Sequence, residues 1–205
     1  MQQSRKIILA SESPRRREIL ATAGIDFEVA ISPYDEPPLA LPARDIAKTH
    51  AYKKAEALAM ELRPEWRDAI FIGVDTIVVA ANGEILYKPL DRNDAERMLK
   101  LQSNSTVTVL SGFALIDRAN SREYVDVEAT EVFVAEISAQ EIAWYLDTGE
   151  WEGKSGGFAI QGLASRFFSG VHGDLLNVIG LPLNRLYQIL KSWQVFVAGP
   201  FAINS

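Results

Sequence analysis

Cysteine is absent from this chain of 205 residues, and histidine occurs only twice, at His50 and His172. Disulfides, thiolate metal centres and a cysteine nucleophile are thereby excluded. A histidine-rich metal site is excluded too, and a Ser-His-Asp triad would have to use one of those two imidazoles. No stretch approaches the roughly 20 apolar residues of a membrane span. The run Ile7-Ile8-Leu9-Ala10 is too short for the apolar core of an export signal, and charge returns at once. The expectation is a cytoplasmic protein with no membrane partner. Basic residues are in deficit as well, with 21 Lys and Arg against 27 Asp and Glu and a net charge of −6. Broad binding to a nucleic acid polymer needs the opposite balance. A small anionic ligand is still allowed, because a pocket can be locally positive inside an acidic protein.

What is present is ordinary for a globular chain: 48% apolar and 23% charged residues, with no repeat or low-complexity segment. The length suits one domain, residues 1–205, with a core that needs no staples. Strand and helix patterns alternate. Lys6–Ala10 reads as a strand, followed by a helix with Ser13 as cap, Pro14 in its first turn, an apolar face of Ile19, Leu20 and Ala23, and Gly24 as its stop. Phe27–Ile31 reads as a second strand and Pro33–Pro42 as a proline-rich loop. A long helix is expected from Ala43 to Leu62. Ala69–Val74 reads as a buried strand that Ile77–Ala81 continues or pairs with, and Asn82-Gly83 signals a hairpin. A helix over Asp91–Leu101 precedes two long paired strands, Val107–Asp117 and Glu123–Val134. Ser138–Leu146 is a helix with a Ser138/Glu141 capping box. Gly153–Gly162 is a loop with tight turns, and Pro182–Lys191 a closing helix. Residues 192–205 form a C-terminal extension that packs as a strand or tail, with Trp193, Val195, Phe196 and Phe201 its apolar residues. The polar stretch 102–106 is the one composition break and a candidate divider between two lobes.

Several segments carry chemistry. In Ser11-Glu12-Ser13-Pro14-Arg15-Arg16 a strand ends, two hydroxyls follow and a helix begins. A helix start offers free N–H groups and a positive dipole end, so anions gather there. Arginine is unfavourable in a first turn unless something offsets it, and phosphate oxygens would. The plainer reading is a capped surface helix with solvated arginines. Asp75 and Thr76 stand in the apolar run Ile72–Val79, where a carboxylate is costly unless paired or bound to a metal. Asp75 is then a metal ligand, a base for water, or an aspartate capped at a bend. Lys88 before Pro89, Lys54 in the long helix, and Asp35 and Glu36 in the proline-rich loop are unremarkable taken singly. The run Gly153–Gly162 lacks the spacing of a phosphate-binding P-loop. Its glycines still let backbone approach a ligand, and Gln161 offers both donor and acceptor. A structural loop explains them equally well. Asn177–Leu183 reads as structural, a turn into the last helix.

Taken in order, LASESPRR, GVDTIVV, YKP, GKSGGFAIQG and NVIGLPL resemble the signature segments of the Maf proteins, over residues 6 to about 191. That resemblance implies an elongated α/β fold with a mixed sheet, two lobes and a central cleft, similar to the inosine-triphosphate pyrophosphatases. It implies a nucleoside triphosphate substrate, a divalent metal (Mg²⁺ or Mn²⁺) and cleavage to monophosphate and pyrophosphate; a homodimer is compatible with it. By position, Asp75 matches the proton acceptor, Arg15, Thr76 and Gln161 the positions linked to substrate choice, and Ser11, Arg16, Glu36, Lys54 and Lys88 other polar cleft residues. Asp75 with Glu36 would hold the metal, and Ser11, Arg15, Lys54 and Lys88 the phosphates. The Ala-Ile-Gln-Gly form of the loop resembles the branch acting on dTTP and UTP rather than the one acting on 7-methyl-GTP. One departure is Leu101-Gln102-Ser103-Asn104-Ser105-Thr106, where the family often has Leu-Ser-Gly-x-x-His. The competing expectations are a nucleotide-binding regulator of septum formation with little turnover, and a pyrophosphatase for modified purine nucleotides.

Overall fold

The computed structural model describes residues 2–61 and 63–197. In chain order its strands are β1 (Gln2–Gln3), β2 (Ile7–Ala10), β3 (Glu28–Val29), β4 (Ile70–Val79), β5 (Ile85–Leu86), β6 (Ser105–Asp117), β7 (Arg122–Val134), β8 (Phe168–His172) and β9 (Phe196–Val197). Its α-helices are α1 (Pro14–Thr22), α2 (Ala43–Ala59), α3 (Arg92–Gln102), α4 (Ala139–Asp147), α5 (Leu175–Ile179) and α6 (Leu183–Ser192). The fold is the expected mixed α/β type. β3, β2 and β4 run parallel, then β6, β7 and β8 follow antiparallel, with β5 on the edge of β4. None of the described helices is long and apolar enough to cross a membrane.

Two glycines dictate how α2 lies on the sheet. A Cβ at Gly73 would stand 2.0 Å from the Ala51 carbonyl oxygen, and one at Gly112 would stand 2.1 Å from that of Ala47. Only glycine in the strands and alanine on the helix let the two backbones approach so closely. Ala51, Ala55, Leu58, Phe71 and Ala114 form the core on that face. On the other face α1 and α6 cover Ile72, Val74, Phe113 and Leu115. A further core, with Leu99, Val107, Val109, Val132 and Tyr145, lies under α3 and α4. β6 and β7 run through both regions; at 13 residues each, they span roughly 40 Å.

Local signals predicted several boundaries well. Asp91 accepts from the Asp94 N–H, Ser138 and Glu141 form the capping box, and a turn at Asn82-Gly83 joins β4 to β5. Other expectations change. Ser13 precedes α1 but its side chain caps nothing, and Ala23 is exposed. The strand expected over Phe27–Ile31 shrinks to β3, where only two residues find a partner on β2. α2 stops at Ala59, and Leu62 lies outside the described residues. Ile77–Val79 continues β4 without a break because β6 pairs along its whole length. Residues 102–106 are the last residue of α3, the turn after it and the first two residues of β6, and β6 itself runs on from there through both regions. Val195 is buried and β9 pairs with β1, so the expected C-terminal strand exists; Phe201 lies outside the described residues.

Candidate active site

β2 ends at Ala10, opposite Gly73, while β4 runs on to Val79. β5 rejoins that edge only at Val78. Between those points the edge of β4 has no strand beside it among the described residues, at the carboxyl end of a parallel pair, where α/β proteins form ligand crevices. A cavity of about 440 Å³ occupies this gap. Successive strand residues face opposite sides, so the gap lets groups from both faces of the sheet meet.

From the α2 face comes Asp75, on the same side of β4 as Gly73. The close approach of α2 over that glycine brings Lys54 to it, with Nζ 2.8 Å from Asp75 Oδ1 and 2.7 Å from Glu36 Oε2. Lys54 and Asp75 are both 8% exposed. Burial of one carboxylate and one ammonium is tolerable because they are paired. Glu36 sits at the surface, with a backbone φ of 52°. Its loop is tied down by Tyr34, whose hydroxyl meets His50 Nδ1 at 3.1 Å, one helical turn before Lys54. Burial and the nearby Glu36 carboxylate raise the Tyr34 phenol above its ordinary range, so it stays neutral.

From the other face comes Thr76, with Arg16. Arg16 donates from Nε to the Gly180 carbonyl at 2.8 Å, from Nη1 to Ser11 Oγ at 2.8 Å and from Nη2 to Thr76 Oγ1 at 3.0 Å. Thr76 and Ser111 hydroxyls lie 2.8 Å apart, and Ser111 reaches the Asn177 carbonyl at 3.3 Å. Burial pulls the Arg16 guanidinium down to about 10 against the attraction of Asp75, so it remains charged at neutral pH. Ser11, Arg16 and Thr76 are therefore cross-linked before any ligand arrives. Arg15 and Lys88 also line the cavity, and neither has an ion-pair partner among the described residues. The first-turn N–H groups of α1 are left free of a side-chain cap at the same place.

The other end of the cavity is mainly apolar, lined by Val78, Val107, Val109, Val132, Phe158 and Phe168, with Gln102 and Ser155 among them. Gly153–Gly162 forms its wall, with Gly156 at φ 72° and Gly157 at φ 74°. Gly156 is held at both ends, its N–H on the Tyr87 carbonyl at 3.0 Å and its carbonyl accepting from Gln102 Nε2 at 2.7 Å. Gln161 is exposed and lines the cavity beyond.

Every residue expected at the site thus lies in or beside this cavity. Ser11, Arg15, Arg16, Glu36, Lys54, Thr76, Lys88 and Gln161 line it, and Asp75 stands behind Lys54. Sequence reasoning missed Tyr34, His50, Ser111 and Gln102. The i, i+4 spacing of His50 and Lys54 was the available signal for His50; the others depend on pairing across strands and loops. No cluster of three His, Cys, Asp or Glu side chains is present among the described residues. Two carboxylates do converge on one cationic nitrogen, which is a donor set that suits a hard divalent cation when ligand phosphates complete it.

Fold and cleft define a mixed α/β pocket protein, with one cationic end and one apolar end to its cavity. Residues 6–193 match the profile of the family described as Maf-like protein, and the chain belongs to the Maf family. It is 41% identical over 190 residues to a dTTP/UTP pyrophosphatase of Pelotomaculum thermopropionicum, across 92% of this chain and 97% of that protein. A dTTP/UTP pyrophosphatase of Alkaliphilus oremlandii is 43% identical over 189 residues, across 92% and 96%. A solved dITP/XTP pyrophosphatase from Mycobacterium abscessus is a looser match, with TM-score 0.44 and 14% identity over 92% of this chain and 98% of its own.

Proposed function

We propose that this chain hydrolyses dTTP and UTP to the nucleoside monophosphate and pyrophosphate. The observation that carries the reading is the Asp75–Lys54–Glu36 group at the cationic end of a cavity whose other end is apolar. A triphosphate fits the first end and a base the second. The relatives' names give the same chemistry and the same bases.

Arg15, Arg16, Lys88 and Ser11 hold the phosphate oxygens, with Arg16 preset by its three bonds and Arg15 and Lys88 free to close on the ligand. Lys54 pairs with Asp75 and adds positive charge beside the phosphates. Asp75 and Glu36 would hold a divalent cation, Mg²⁺ or Mn²⁺, which supplies neutralisation of phosphate charge. Asp75 takes a proton from water as the water oxygen bonds to the α-phosphorus. The bond from that phosphorus to the α–β bridging oxygen breaks, and pyrophosphate leaves. Positioning and charge stabilisation do most of this work, without a covalent nucleophile. Gln161, at the cavity mouth, offers donor and acceptor to the base edge, and Thr76 acts through Arg16.

The test is a panel of dTTP, UTP, CTP, ATP, GTP and 7-methyl-GTP with Mg²⁺, reading products by chromatography. The reading predicts monophosphate and pyrophosphate, fastest with dTTP and UTP. Release of orthophosphate, or a clear preference for 7-methyl-GTP, would contradict it.

A further inference from the structure

Gln102 ends α3 at the inner limit of the apolar arm and is 0% exposed. Its amide nitrogen is fully used, donating to the Met98 carbonyl at 3.0 Å and to the Gly156 carbonyl at 2.7 Å. Two carbonyl partners fix which end of the amide is nitrogen, so the other end can only be oxygen. That oxygen, Oε1, has no partner among the described residues. An unpaired buried carbonyl among valines is costly, and such groups call for an explanation. The residue lines the cavity, and Oε1 faces the missing side chain of Gly156, where a Cβ would stand 3.2 Å away.

We infer that Gln102 is a specificity-determining residue, whose Oε1 accepts a hydrogen bond from the ring N–H of a uracil or thymine base. The inference rests on the proposed dTTP/UTP reading and names the group that enforces it. With the triphosphate at the cationic end, the base is directed into the arm that Gln102 terminates. A fixed acceptor there accepts the imide N3–H of uracil or thymine. Cytosine has nearly the same shape but presents a lone pair at N3, so two acceptors would face each other. In the free chain Oε1 is shielded by the loop, and the base reaches it as the loop gives way at Gly156 and Gly157, whose left-handed backbone carries no side chain to obstruct it; Nε2 then releases the Gly156 carbonyl, and its bond to the Met98 carbonyl inside α3 keeps Oε1 as the acceptor end. Gln161 at the mouth and Gln102 at the floor then divide the reading of the base between them.

The experiment measures kcat/KM for UTP, CTP and N3-methyl-UTP, with inhibition by inorganic tripolyphosphate as a measure of the phosphate end alone. Wild-type protein is expected to favour UTP over both analogues by roughly 10- to 100-fold, the scale of one buried polar group left unpaired. Gln102→Met, nearly isosteric, should bring the UTP/CTP ratio to within a few-fold of one and leave tripolyphosphate inhibition unchanged. Gln102→Leu replaces it if the methionine variant does not fold. Equal loss on UTP, CTP and tripolyphosphate would overturn the inference and leave Gln102 a loop anchor. Wild-type turnover of CTP or N3-methyl-UTP as fast as UTP would overturn it without any variant. Failure of wild-type protein to hydrolyse UTP at all would instead strike the functional reading beneath it.

Discussion

Two buried aspartates on the same strand ladder are handled in opposite ways. Asp117 pairs with Ile70 at one end of the β4–β6 ladder, and Asp75 pairs with Gly112 five residues further along β4. Asp117 is completely buried and receives Arg5 at 2.9 and 3.0 Å, Arg122 at 2.6 Å and Asn120 at 2.8 Å. Burial alone would raise its carboxyl, but those donors outweigh it and hold it well below the usual carboxylate range. Asp75 has one lysine, which it shares with Glu36, and it stands beside a cavity. A carboxylate saturated by arginines has nothing left to offer a ligand; one with a free oxygen and a divided lysine does. Burial of charge therefore does not by itself mark a candidate site, whereas incomplete satisfaction beside open space does.

That contrast can be broken first at Asp117. Asp117→Ala should cost about 3 kcal/mol of stability, since it leaves two arginines facing an empty buried site. Turnover per folded molecule should be unchanged, as urea melts and kcat measured on one preparation would reveal. The same carboxylate gives a pH signature. Its folded pKa is depressed, so its stabilisation is full above the unfolded value of about 4 and is lost as pH falls below it. Asp117→Asn should flatten that acid limb of the stability curve, whereas an unchanged limb would assign it to other groups. Asp75→Asn is the mirror case: kcat should drop at least roughly 10²-fold, the scale of a catalytic proton acceptor, with the fold retained because Glu36 still pairs with Lys54. Lys88→Ala sharpens the division between preset and free cations. KM should rise roughly tenfold, the range for a charged hydrogen bond, and thermal stability should not move. The smallest effect is expected at Tyr34→Phe, which loses the His50 contact. About 1 kcal/mol is at stake, and Asp75-dependent turnover should fall only a few-fold as the Glu36 loop loosens.

The two regions also differ in how far they could be read from the sequence. Part of the cationic end was legible because those groups fall in short runs, Ser11 to Arg16 at a strand-to-helix turn and a carboxylate inside an apolar strand; Glu36, Lys54 and Lys88 come from separate segments and were singled out only by the family resemblance. The same locality explains why Asp91, Ser138 with Glu141, and Asn82-Gly83 mark real boundaries. The apolar arm was not legible, because Gln102 meets Gly156 across 54 residues of chain. β8 was missed for a related reason: Phe168–His172 contains Gly170, shows no alternation, and is held by an irregular pairing with β7. α5 is only five residues long, too short for periodicity to register. Thr76 was expected to touch substrate directly, and the cross-strand hydroxyl of Ser111 and the guanidinium of Arg16 already engage it.

In the proposed reaction water attacks the α-phosphorus. Hydrolysis of UTP in ¹⁸O-labelled water, with mass spectrometry of both products, tests it most directly. The account predicts one labelled oxygen in UMP and none in pyrophosphate. Label in pyrophosphate, or UDP with labelled orthophosphate, would contradict it.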